Sequence, residues 1–223
     1  RANIAERNPE QHIMMRELFR SYPSKSQIEY ADALQREGKF EGVTVAAWQQ
    51  AYEDWTTNLG KEEIHTFNDC KIYMEANEDD VRQMAIDSGV AESVILGELV
   101  FYQNVANYLH WRLLCLAEKE EGMGLAHRLL YDGEQLYNQA EHEKARAMLL
   151  EGLQRFESIL SKDQFSSLRS EDNLIEEIMW GTMLWRQTYL ILRLPVPATF
   201  PLKDIWDKHQ NKLPTLQSRF NHL

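Results

Sequence analysis

Residues 125–156 read LAHRLLYDGEQLYNQAEHEKARAMLLEGLQRF. Ala126, Leu129, Leu130, Gly133, Leu136 and Tyr137 recur at three- and four-residue spacing, which gathers them on one face of a helix. A polar turn near Asn138-Gln139-Ala140 follows. Ala145, Leu149, Gly152, Leu153 and Phe156 then form a second stripe, and Glu141 and Glu143 fall in its first turn, where the helix dipole favours anions. Gly133 inside a helix costs about 1 kcal/mol relative to alanine, so close approach of a neighbouring helix is expected there. Small residues (Gly133, Ala145, Gly152) alternate with large ones (Leu129, Leu136, Leu149), which lets two antiparallel helices interdigitate. The stretch predicts a helical hairpin.

Working outward, the same period continues almost everywhere. Asn8-Pro9 opens a helix through Ile13, Met14, Leu18 and Phe19 that Pro23 should end, and Ser26 can cap the next, which carries Ile28, Ala31 and Leu34 and stops at Gly38. A third runs from about Thr44 to Trp55, with Val45, Trp48, Tyr52 and Trp55 on one face. From Lys61, Ile64, Phe67, Cys70 and Met74 predict a helix broken near Asn77, and Val81, Met84 and Ala85 a short one closed by Gly89. Ala91 to Glu120 reads as one uninterrupted helix, on the order of 40 Å long, ended by Gly122-Met123-Gly124.

Beyond the hairpin, a polar linker at 161–170 leads to a long helix from Glu171 to Leu194 that is apolar almost all round. Glu176, Glu177, Arg186 and Arg193 interrupt it, so it is no membrane span. Two readings of its second face stay open: burial, the commoner cause, or a docking face on which Met179 and Met183 meet a partner. Pro195, Pro197 and Pro201 force an extended strap, and Leu202–Lys212 reads as a short amphipathic helix before Pro214. No stretch sustains two-residue alternation, so no sheet is expected. The expected fold is all-α, antiparallel hairpins in an irregular α-solenoid or a helical bundle. A single domain over 1–223 accommodates it, with subdivision near 89–90 and the C-terminal strap and short helix at 195–223.

The hairpin resembles a tetratricopeptide repeat. Gly133, Ala145 and Gly152 stand at the family's spacings of twelve and seven, Leu129, Leu136 and Leu149 fit its large positions, and Ala140–Ala145 resembles its turn. Asp132 stands where a leucine is usual, and no proline closes the unit near Glu157. A weaker likeness lies at 27–51, where Gly38-Lys39-Phe40-Glu41 resembles the same turn. Ala31 and Gly133 are 102 residues apart, a multiple of the 34-residue repeat, but the in-phase positions His65 and Leu99 lack the small residues that should follow. The resemblance implies a groove lined by the hairpin's first helix, here His127, Leu130, Glu134 and Tyr137, that holds a protein or peptide partner. Family members that grip a C-terminal carboxylate use Lys and Asn where this chain has Leu130 and Glu134, which implies a different ligand.

Composition bounds the function. The 223 residues carry 35 acids against 24 Lys and Arg, a net charge of −11, which excludes nonspecific nucleic-acid binding. With 43% hydrophobic and 26% charged residues the chain is globular. Cys70 and Cys115 sit among apolar neighbours, so two buried free thiols are expected. Arg1 in place of Met implies that a leading piece has been removed or omitted, and compartment and oligomeric state stay open. There is no phosphate loop, nucleophile elbow or zinc-binding His-Glu-x-x-His. A lone Glu62-x-x-His65 has helical metal-ligand spacing, but a di-iron bundle needs two such motifs and two further carboxylates, so no metal or cofactor is expected. A binding scaffold is favoured over an enzyme. The alternative is an all-helical enzyme or small-ligand binder, which a pocket with two or more carboxylates or histidines would favour.

Overall fold

The computed structural model describes residues 18–67 and 70–221, with the backbone alone considered at 63–67; the expected helix opening at Asn8 lies outside them as far as residue 17. The chain packs as two compact units: residues 18–34 with 43–116, and residues 35–42 with 117–221. The all-α class holds, and among the described residues no helix is long and apolar enough to cross a membrane.

In the first unit α1 (Tyr22–Arg36) takes Pro23 into its first turn, where a missing N–H leaves no bond unmade. Ser26 is therefore no cap; its hydroxyl donates to the Tyr22 carbonyl, inside the helix. In α2 (Val43–Glu53) the buried face is Thr44, Ala47, Trp48 and Ala51, and Val45 is exposed. The helix then widens into a π-helical turn, Asp54–Leu59, that buries Trp55 and Leu59.

The expected helix from Lys61 is instead an antiparallel ribbon, β1 (Glu63–Phe67) paired with β2 (Cys70–Tyr73). Burial alternates along β2, with Cys70 and Ile72 in and Lys71 out, as a strand requires. The helical Glu62-x-x-His65 turn therefore does not exist, because His65 stands in a strand; Glu62 instead pairs with Arg20 at 2.7 Å. α3 (Glu78–Ser88) opens on a capping box between Asn77 and Asp80 and closes on Gly89, as expected.

The expected 40 Å helix is two. α4 (Glu92–Ala106) ends where Asn107 turns left-handed (φ 52°), and α5 (Tyr108–Glu118) starts afresh. Asparagine is among the few residues that adopt this conformation readily, and an apolar periodicity running through it hides the break. Ile28, Trp48, Trp55, Ile72, Ile95 and Tyr108 belong to the core of this unit. Cys70 and Cys115 are buried and form no disulfide.

The second unit is built on the predicted hairpin, α6 (Glu121–Asn138) and α7 (His142–Leu160), joined by Gln139–Glu141 with Ala140 left-handed. The helix break falls at Lys119-Glu120, so Gly122 and Gly124 lie inside α6. Small residues meet large ones as expected at Gly133, where a Cβ would stand 2.7 Å from Leu149, and at Gly152, where one would stand 3.2 Å from Leu129; it would also stand 2.9 Å from Leu130, which was expected to line the groove. The 161–170 segment is a 3₁₀ run, Asp163–Ser170, that buries Phe165 and Leu168 rather than a polar linker.

α8 (Asp172–Ile191) lies against both hairpin helices and is buried nearly all round from Ile175 to Trp185. The extended strap follows, with the Leu202 amide donating to Glu157, and then α9 (Lys203–Lys208). Pro214 does not end the structure. It sits in the first turn of α10 (Leu213–Phe220), where proline is favoured.

Candidate functional site

The face of α6 that was expected to line a groove is covered by the chain's own C-terminal helices. His127 and Leu130, at its deep end, are buried. Gly181 of α8 sits directly on Leu130; a Cβ at Gly181 would lie 3.0 Å from it, so the absent side chain is what lets α8 approach. Met179 and Met183, on α8, are 0% and 5% exposed, which removes them from any surface and corrects the docking-face reading of these two residues.

His127 is held between carboxylates. Its Nδ1 lies 2.8 Å from Glu177 on α8, and its Nε2 lies 3.0 Å from Glu118 at the end of α5. Gln35 Nε2 also donates to Glu118, and the imidazole meets the Phe156 ring edge-on at 5.0 Å. Burial works against the charged imidazole, but Glu177 and Glu118 outweigh it and hold the pKa well above the ordinary histidine value. The two acids occupy opposite ring nitrogens and do not converge on a common point. Among the described residues no three His, Cys, Asp or Glu side chains are arranged to hold a metal ion.

The outer end of the same face, Glu134 and Tyr137, carries α10. Arg219 reaches Glu134 at 3.1 Å and lays its guanidinium 3.9 Å from the centre of the Trp180 ring. Phe220 meets the Tyr137 ring at 6.0 Å, and just before the helix Lys212 pairs with Glu176 and Asp172 at 2.9 and 3.2 Å. Within α10 only Leu216 is buried. The helix is therefore held by one apolar anchor, exposed ion pairs and two ring contacts, and exposed pairs contribute roughly 0–1 kcal/mol each. Trp180, Arg219 and Phe220 were not foreseen; the partners of Glu134 and Tyr137 lie more than 80 residues away, and no local pattern announces them.

The first unit holds a polar cleft of about 750 Å³ lined by Thr56, Thr57, Lys61, Tyr73, Glu75, Asn77 and Asp80. The π-helical turn forms one wall. Tyr108 donates to Glu75 at 2.5 Å and also lies 3.0 Å from the Trp55 carbonyl, and Arg112 bonds both Glu75 oxygens. Burial and the Glu75 carboxylate push the Tyr108 hydroxyl far above its usual range. Asp80 accepts from the Asn77 amide and from Tyr73. Both carboxylates at the cleft are thus engaged within the chain.

Comparison with protein families, with characterised proteins and with solved structures finds no match to this chain.

Proposed function

We propose that the chain is a protein-interaction scaffold whose second unit receives a partner helix at Glu134 and Tyr137 on the outer end of α6, beside Trp180 of α8. The observation that carries this reading is α10 itself. A short amphipathic helix already lies on that face, and an arginine, an aromatic ring and one buried leucine hold it there as a docked peptide would be held. The likeness of α6 and α7 to a tetratricopeptide hairpin supports the reading, because in that family the first helix lines the groove. Its deep end, His127 and Leu130, is closed by α8, so the partner's share is the outer end.

The test uses the full chain. Arg219→Glu with Phe220→Ala frees the face from α10, and capture from the source lysate should then retain more of a defined set of proteins than wild type does. Adding Tyr137→Ala to that background should release the set. Identical capture by all three proteins would contradict the proposal.

A second reading, a small polar ligand in the first unit, is favoured by the two carboxylates beside Lys61 and Thr57 at the cleft. It ranks second because Glu75 and Asp80 are already engaged within the chain. A thermal shift with a polar metabolite that disappears on Lys61→Ala would reverse the order.

A further inference from the structure

The outward face of α4 in the first unit is apolar and carries no charge. Val94, Leu96, Val100 and Phe101 are 41–48% exposed, whereas Ile95, Leu99, Tyr102 and Ala106 on the opposite face enter the core. Between Ser93 and Asn104 no Lys, Arg or Asp occurs, and Glu98, the one acid, lies at the edge of this face, half-buried. Gly97 sits at its centre. Glycine weakens a helix interior, and here nothing among the described residues requires it, since a Cβ would meet none of their atoms within 4 Å. Its effect is a notch between Val94, Val100 and Phe101, the kind of gap that receives a side chain of a second helix.

Size and charge identify the occupant. A stable dimer interface engages about 20–30 residues a side. Four apolar side chains over two turns of one helix fall far short of that, and two copies bearing −11 each repel. A single helix fits the span. The elements that carry the face are acidic: α4 and α3, which packs on it, hold Glu78, Asp79, Asp80, Asp87, Glu92 and Glu98 against one cation, Arg82. We propose that this face docks an amphipathic helix of a partner protein, apolar where it crosses Gly97 and flanked by Lys or Arg. This is a second surface, independent of the one at Tyr137.

The probe is a displayed library of 18-residue helices with a fixed apolar face and flanks randomised among Lys, Glu, Gln and Ser, selected on the intact protein. Selection should enrich lysine at the flanks. The winning peptide should lose at least tenfold in affinity on Gly97→Leu, a substitution into open space that should not lower the melting temperature. It should lose as much on Phe101→Glu, which adds negative charge and would strengthen a merely electrostatic attraction. No enrichment, glutamate-enriched flanks, or equal binding to both variants overturns the proposal. So does co-sedimentation with phosphatidylcholine–phosphatidylserine vesicles that Phe101→Glu abolishes, or a dimer that it dissociates.

Discussion

Nδ1 of His127 stands 2.8 Å from both carboxylate oxygens of Glu177, so a histidine of α6 and a glutamate of α8 are locked together inside the second unit. Since the folded pKa lies well above the unfolded value of about 6.5, the linked stability is fully present below that pH and is lost as pH rises through the folded pKa. Urea unfolding should therefore show stability falling as pH rises above about 6.5, and His127→Gln should remove that fall. At pH 7.5 nitrogen-resolved NMR should find both ring nitrogens protonated. A neutral His127 at that pH would contradict the charged network.

Two glycines should respond oppositely to alanine. Gly152→Ala sets a methyl 2.9 Å from Leu130 and 3.2 Å from the Ala126 carbonyl, so overpacking should cost about 1–3 kcal/mol. Gly97→Ala enters open space and should stabilise by roughly 1 kcal/mol. Thermal melts of the pair decide it, and equal shifts would mean that one of the two helix faces is misassigned.

Burial of α8 gives a third expectation. Met179→Gln with Met183→Gln puts two amides among apolar neighbours, at roughly 1–3 kcal/mol each, and should lower the melting temperature sharply. Lys144→Ala removes only an exposed pair with Glu141 and should change stability by no more than about 0.5 kcal/mol. An unchanged melt for the methionine double variant would return these residues to the surface.

In the first unit, Tyr108→Phe deletes the hydroxyl beside the Trp55 carbonyl and Glu75. It leaves the Glu75 carboxylate short of a donor in a part-buried site, and the loss should be about 1–3 kcal/mol in denaturant unfolding. A neutral result would show that the hydroxyl does not help hold Glu75 beside the π-helical turn.

What the sequence shows and what it conceals follow the range of the interaction. The hairpin is legible because Gly133, Ala145, Gly152 and the leucines opposite them repeat within a few turns, and local period is what a sequence displays. α8 is legible as central because its apolar residues exceed one face. The ribbon is missed because Ile64, Phe67 and Cys70 also fit a helical period. Ile64, Thr66, Phe67, Ile72 and Tyr73 are nonetheless β-branched and aromatic, the residue types that favour strands. Pro214 is taken for a terminator because proline both ends helices and opens them. The site is less legible than the fold. Glu134 and Tyr137 come from the resemblance of α6 to the first helix of a tetratricopeptide hairpin, but Glu177 and Arg219 meet α6 only through tertiary packing.

The availability of the α6 face rests on α10 being docked on the unit rather than part of its core. Hydrogen exchange of the intact protein measures this most directly. Amides of residues 215–220 should exchange well ahead of those at 178–185 of α8, because ion pairs, two ring contacts and one leucine hold α10 while α8 is buried from Ile178 to Trp185. Arg219→Glu should speed that exchange further and leave α8 unaffected. Amides in α10 as slow as those of α8 would make it an integral core helix, and the face at Glu134 and Tyr137 would then be closed to any partner.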